Sequence, residues 1–174
     1  ADGNYTYTEA FDMYQEQVRI LADAGIDLIA AETMINIEET LAAVDAASSV
    51  CDLPIMCTMT VEADGSIFSG GNAIEASVSL EAAGADAVGI NCSVGPDQLV
   101  SVVRSIKENV SIPVIAKPNA GMPTIDDKGQ AVYSMNAEDF ASYMKVLIES
   151  GASVVGGCCG TTPAFIKALH DSIR

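Results

Sequence analysis

Two adjacent cysteines, Cys158 and Cys159, stand among glycines in the segment GGCCGTTP (Gly156–Pro163). Neighbouring residues on a regular strand point to opposite faces, so both sulfurs can address one ion only if the chain bends there. Glycines at 156, 157 and 160 permit that bend. A third cysteine, Cys92, follows the apolar run DAVGIN (Asp86–Asn91) at another strand end. Soft thiolates select zinc, and three protein ligands leave a fourth tetrahedral position for a substrate. The plainer alternative is that small cysteines merely fill space beside glycines. A vicinal Cys158–Cys159 disulfide is a poorer rival, because adjacent alpha carbons suit its geometry badly.

Other polar groups stand at strand ends. Glu32 closes a run in AAET, and a carboxylate in line with a metal site suits an ammonium group. Its alternative is a solvated residue opening the loop toward Asn36. Asn91 precedes Cys92 and, on its own, reads as a loop-capping amide. Lys117 sits near the anionic site, reaches solvent, or serves as a Schiff-base amine in a barrel lyase. Cys57 lies inside a strand run and Cys51 at a helix end, so both read as packing. His170, between Leu169 and Ile173, reads as a core-edge residue rather than a ligand. Met56, Met59 and Met122 could line a thioether-friendly pocket, although methionine is a general gap-filler. Asp126-Asp127-Lys128-Gly129 reads as a turn, since calcium-loop spacing is absent.

The elements that must position these groups alternate along the chain. Strand-like runs occur at Asp27–Glu32, Pro54–Thr60, Asp86–Asn91, Pro113–Pro118 and Ser153–Gly157. They are nearly continuous in small and branched apolar residues, as parallel strands buried on both faces are. Helical stripes lie around and between them: Phe11, Tyr14, Val18, Leu21; Ile37, Leu41, Val44; Leu99, Val102, Val103, Ile106; Phe140, Met144, Leu147, Ile148; and, last, Ile166, Leu169, Ile173. Asn72–Ala83 is a weaker, alanine-rich helix. Helices ending in Ala24-Gly25, Ala83-Gly84 and Ser150-Gly151 predict left-handed closures before a strand. Gly25 and Gly84, like Pro54 and Pro113, recur at one interval of about 60 residues, or two strand-plus-helix units of about 30.

Five such modules fit a doubly wound sheet or part of a (β/α)8 barrel, whose complete form takes about 250 residues. With 174 residues the chain has room for five strands of eight. The polar opening Ala1–Thr8 ends at a plausible helix cap, so the chain is expected to start at a helix. A net charge of -16 repels phosphate backbones and anionic lipid, which argues against nucleic acid and membrane surfaces as partners. No apolar run approaches a membrane span and no leader pattern opens the chain, so a soluble, cytoplasmic protein is expected. Five cysteines, an odd number, argue against a disulfide framework.

Three motifs carry a family likeness. GINCSVGP (Gly89–Pro96), KPNAGMP (Lys117–Pro123) and GGCCGTTP together resemble the homocysteine S-methyltransferase family, closest to the homocysteine-binding module of its cobalamin-dependent methionine synthase branch. The likeness runs from about Asp27 to the end. It implies that Cys92, Cys158 and Cys159 are the zinc ligands, that Glu32 holds the amino group of homocysteine and that Asn91 is a pocket residue. It also implies an α/β fold formed by the C-terminal portion of a TIM barrel, with residues 1–174 as its fourth to eighth βα units. The first three strands, including a Gly-Asp-Gly segment that helps bind the substrate carboxylate, are absent. The implied chemistry is alkylation of a zinc-bound thiolate, with methylcobalamin or a folate-linked donor on a separate module. The missing N-terminal half of the barrel and the cobalamin- and folate-binding modules are the implied partners, and the piece alone is expected to be a weak or inactive catalyst. A non-catalytic zinc- or thiol-binding protein is the alternative.

Overall fold

The computed structural model describes residues 5–174; the first four residues of the predicted polar opening lie outside the described residues. Helix α1 (Tyr7–Asp23) starts where Thr6 and Glu9 form a reciprocal capping box. Strand β1 (Ile29–Met34), helix α2 (Ile37–Val50), strand β2 (Ile55–Met59), helix α3 (Ala73–Ala83) and strand β3 (Ala87–Cys92) follow. A short 3-10 turn, Pro96–Gln98, leads into α4 (Val100–Asn109) and β4 (Val114–Pro118). A hairpin of β5 (Pro123–Ile125) and β6 (Ala131–Tyr133) precedes α5 (Ala137–Glu149), β7 (Ala152–Val155) and α6 (Pro163–Ser172).

The five long strands form one all-parallel sheet in the order β1-β2-β3-β4-β7. Each expected strand is present, displaced by a residue or two at its ends. The three expected helix closures are left-handed, with φ of 81° at Gly25, 104° at Gly84 and 114° at Gly151. The hairpin was not foreseen beyond its turn. Asp126 to Gly129 reverse the chain, and the Asp126 carboxylate accepts from the backbone of Lys128 and Gln130.

The core lies between the sheet and the helices. Cys57, Met59, Val88, Ile90, Val114 and Ala116 meet Val44, Leu80, Val103, Ile106, Phe140, Met144 and Leu147 from α2 to α5. Phe140 and Phe165 pack edge to face at 5.4 Å, tying α5 to α6. The last stripe departs from expectation: Leu169 is buried, but Ile166, His170 and Ile173 are exposed. His170 is therefore a surface residue beside Asp171 and not a core-edge one.

Alternation along the strands sends Thr58, Asn91 and Lys117 to the other face. That face is concave. Glu32 on β1 and Lys117 on β4 stand with two strands between them, yet their charged ends meet at 2.8 Å. In a flat sheet, strands three places apart lie about 14 Å from each other. Curvature therefore brings the strand ends of this sheet around a common centre.

Candidate functional site

Three loops at the C-terminal ends of β3, β4 and β7 build the site. After β3 the chain turns sharply, with Cys92 at φ 58° and Ser93 at φ 65°, a left-handed conformation that costs non-glycine residues about 1–3 kcal/mol each. Ser93 stabilises this turn: its hydroxyl donates to the Asn91 carbonyl and accepts from the Val61 amide. After β7, Gly156 and Gly157 carry the chain to Cys158 and Cys159, and Gly160 closes the loop at φ 80°.

The loop after β4 holds the other two together. Asn119, almost fully buried, donates to the Ser93 carbonyl at 3.0 Å and accepts from the Cys159 amide at 3.1 Å. The Cys158 amide donates to the Pro118 carbonyl, and the Ala120 amide to the Cys159 carbonyl. Both cysteine loops are thus fixed against one template. Sequence reasoning used the segment KPNAGMP as a family mark but did not single out Asn119. The signal available was an amide directly after a strand end, facing two loops that each needed a partner.

The three sulfurs come together. Cys92 Sγ lies 3.4 Å from Cys159 Sγ, Cys158 Sγ lies 3.9 Å from Cys159 Sγ, and all three fall within 4.8 Å of one another. Tetrahedral zinc with Zn–S bonds of about 2.3 Å places its sulfurs about 3.8 Å apart, so spacing and donor softness both fit that ion. All five cysteines are free thiols. Burial, followed by the hydrogen bond with Cys159, pushes the Cys92 thiol up to about 12. The same contact from Cys92 lowers Cys159. Cys57 sits in the core, where burial raises it to about 12, and Cys51 packs at the end of α2.

Asn91 is the hub beside the sulfurs. Its side chain is 1% exposed and fully engaged. Its Oδ1 accepts from the Thr33 amide at 2.9 Å and the Thr58 hydroxyl at 2.7 Å. Its Nδ2 donates to Thr33 Oγ1 at 2.7 Å, to Glu32 Oε1 at 3.3 Å and toward Cys158 Sγ at 3.8 Å. Thr33 is a β-branched residue at φ 62°, a strained conformation which these two contacts hold in place. Glu32 is therefore aimed over the sheet rather than out along the loop, and Lys117 pairs with it instead of reaching free into solvent. Met59 is buried in the core and Met122 is exposed, away from a pocket role.

Tyr133, at the end of β6, was not foreseen as a site residue. Its ring covers Gly160 so closely that a Cβ there would collide with it, and its hydroxyl interacts with Cys159. Burial and the neighbouring Cys159 raise the Tyr133 phenol.

A parallel α/β sheet that gathers three thiols and a carboxylate–amide–ammonium chain at its strand ends defines an α/β protein whose thiols are spaced as a metal ion's ligands would be. The chain belongs to the homocysteine S-methyltransferase family, whose sequence profile matches residues 1–173. Methionine synthase of Mycobacterium tuberculosis is 34% identical over 177 residues, covering 98% of this chain and 15% of that protein. Homocysteine S-methyltransferase 3 of Zea mays is 34% identical over 168 residues, covering 94% of this chain and 49% of that protein. The apo homocysteine methyltransferase MmuM from Escherichia coli shares the fold, with a TM-score of 0.80 at 23% identity over 99% of this chain and 59% of that one. The chain spans about half or less of the length of these curated relatives. Among the described residues, no helix is long and apolar enough to cross a membrane.

Proposed function

We propose that this chain carries the homocysteine-activating end of a methyltransferase that makes methionine, with Cys92, Cys158 and Cys159 as ligands of a zinc ion. The convergence of three sulfurs from two strand ends supports this reading above all else. Zinc held there would lower the pKa of a substrate thiol, normally about 8.5, so that thiolate is available at neutral pH.

The protein's own groups do the rest. Glu32 accepts hydrogen bonds from the substrate ammonium, and Asn91 holds that carboxylate at 3.3 Å while standing 3.8 Å from Cys158. The substrate is therefore gripped at its amino end, with its sulfur directed toward the cysteines. No histidine base is needed, in keeping with an exposed His170 far along α6. Once the thiol proton has left to solvent, a sulfur lone pair attacks the donor's methyl carbon. The electrons of the broken donor–methyl bond would stay with the donor, which would supply only the methyl group. We assign the donor to methylcobalamin or methyltetrahydrofolate on a separate module, a choice supported by the likeness to methionine synthase, of which this chain covers 15%. Free thiols of this kind persist in a reducing, cytoplasmic setting.

We further propose that the five strand-plus-helix units are the fourth to eighth of a (β/α)8 barrel, the first three being supplied by further polypeptide. Strand β1 has half its residues exposed, and a groove of about 430 Å³ lined by Leu21, Leu28, Ala30 and Glu32 runs beside it. Such an edge and groove suit a neighbouring unit.

The test incubates the zinc-loaded chain with L-homocysteine and methylcobalamin, with and without the complementary barrel half. Methionine is expected at a small fraction of the completed protein's rate from the chain alone, and none from Cys159→Ser. Zinc binding with no homocysteine binding in either preparation would turn the reading into a zinc-binding protein without catalysis.

A further inference from the structure

Among the described residues, Lys117–Glu32 is the ion pair that joins two elements; the other two, Lys167–Asp171 and His170–Asp171, lie within α6. It is also the more sheltered pair, with the Lys117 side chain 19% exposed and Glu32 42% exposed. An ion pair of that exposure adds little to stability, about 0–1 kcal/mol, so folding alone gives weak reason to extend a lysine across two strands. The lysine stem lies beside Gly156, where a Cβ would stand 3.4 Å from Lys117 Cγ. Lys117 is thereby laid along the segment that leads into Cys158.

The distances then select a ligand. Asn91 Nδ2 is 3.3 Å from Glu32 Oε1 and 3.8 Å from Cys158 Sγ, so carboxylate and sulfur are at most about 7 Å apart. The lysine ammonium lies 2.8 Å from that same carboxylate oxygen. In homocysteine three single bonds separate sulfur from the alpha carbon, placing both charged groups about 5 Å from the sulfur. One anion within about 7 Å of the Cys158 sulfur and one cation 2.8 Å beyond or beside it thus match the two charges of a short amino-acid thiol. Glu32 alone would accept any aminothiol, whereas the pair demands a zwitterion.

We propose that Lys117 is a specificity residue that binds the α-carboxylate of the substrate while Glu32 binds its ammonium. The two pairs of charges alternate when the substrate is seated, and Lys117 returns to Glu32 when the pocket empties. This inference rests on the homocysteine reading above. It adds a carboxylate contact from the β4 end of the sheet.

The test uses the cobalt(II)-loaded chain and reads thiol binding from sulfur-to-cobalt charge-transfer absorption, independent of turnover. Two probes are titrated: L-homocysteine and 3-mercaptopropylamine, which lacks the carboxylate. Lys117→Met is expected to weaken L-homocysteine at least about tenfold, the loss of one charge-assisted hydrogen bond, and to leave 3-mercaptopropylamine within about twofold. Lys117→Arg should restore most of the difference. Equal loss of both thiols, or loss of neither, would overturn the role of Lys117. Cobalt stoichiometry verifies that each variant is folded at the site, and Lys117→Gln replaces the methionine variant if that one fails to load. Wild-type protein in which neither thiol alters the cobalt spectrum would instead bring down the homocysteine reading and this inference with it, an outcome distinct from thiols that bind without discriminating.

Discussion

At the scale of single residues, the site depends on one buried amide. Asn91 satisfies the Thr33 amide and the Thr58 hydroxyl, and it ties Glu32 to the thiol cluster. Truncation to alanine would leave those two donors unpaired and remove the tether of the strained Thr33 backbone. Asn91→Ala is expected to lower stability by about 2–3 kcal/mol in urea unfolding, more than an average surface change. A second expectation concerns protons. Burial raises the Cys92 thiol to about 12, so at neutral pH the metal-free site carries a proton there that metal must displace. Protons compete with metal, so lowering the pH weakens binding. From Cys92 alone the apparent zinc affinity should fall about tenfold per pH unit between pH 8 and 6. Chelator competition at those pH values measures it, and an affinity that does not change with pH would contradict the assignment of Cys92.

At the scale of elements, the hairpin of β5 and β6 presses on the cysteine loop through Tyr133 and Gly160. Gly160→Ala places a Cβ into the Tyr133 ring at a left-handed position, so either the ring or Cys159 must move. Zinc release to a chelator should quicken at least about tenfold. Gly129→Ala, also left-handed but with open space around it, should cost about 1 kcal/mol of stability and leave zinc release unchanged. If both variants released zinc alike, the hairpin would have no hold on the site. The parallel strands, their helices and the three cysteines at strand ends were all legible in the sequence, because buried parallel strands and Gly-closed helices leave local patterns. The hairpin was not, since three-residue strands have too little periodicity to register, and only the turn at Asp126 to Gly129 was visible. The Glu32–Lys117 pair was equally hidden. Its two residues stand 85 positions apart in the chain and meet only through sheet curvature, a global property with no local trace. Likewise Ile166 and Ile173 follow a helical stripe, but which face of α6 finds a partner depends on what surrounds it.

At the scale of the whole molecule, a curved parallel sheet brings loops from three strands to one point and leaves the sulfurs partly open to solvent, with Cys159 exposed. Thiol activation here requires that those sulfurs hold a metal that still has room for a thiol. Zinc K-edge X-ray absorption on the metal-loaded chain addresses this directly, before and after L-homocysteine. Three sulfurs near 2.3 Å with one nitrogen or oxygen near 2.0 Å, changing to four sulfurs on addition, is the predicted result, to about 0.1 Å. Fewer than three sulfurs at the start, or a coordination shell that homocysteine leaves unaltered, would contradict it.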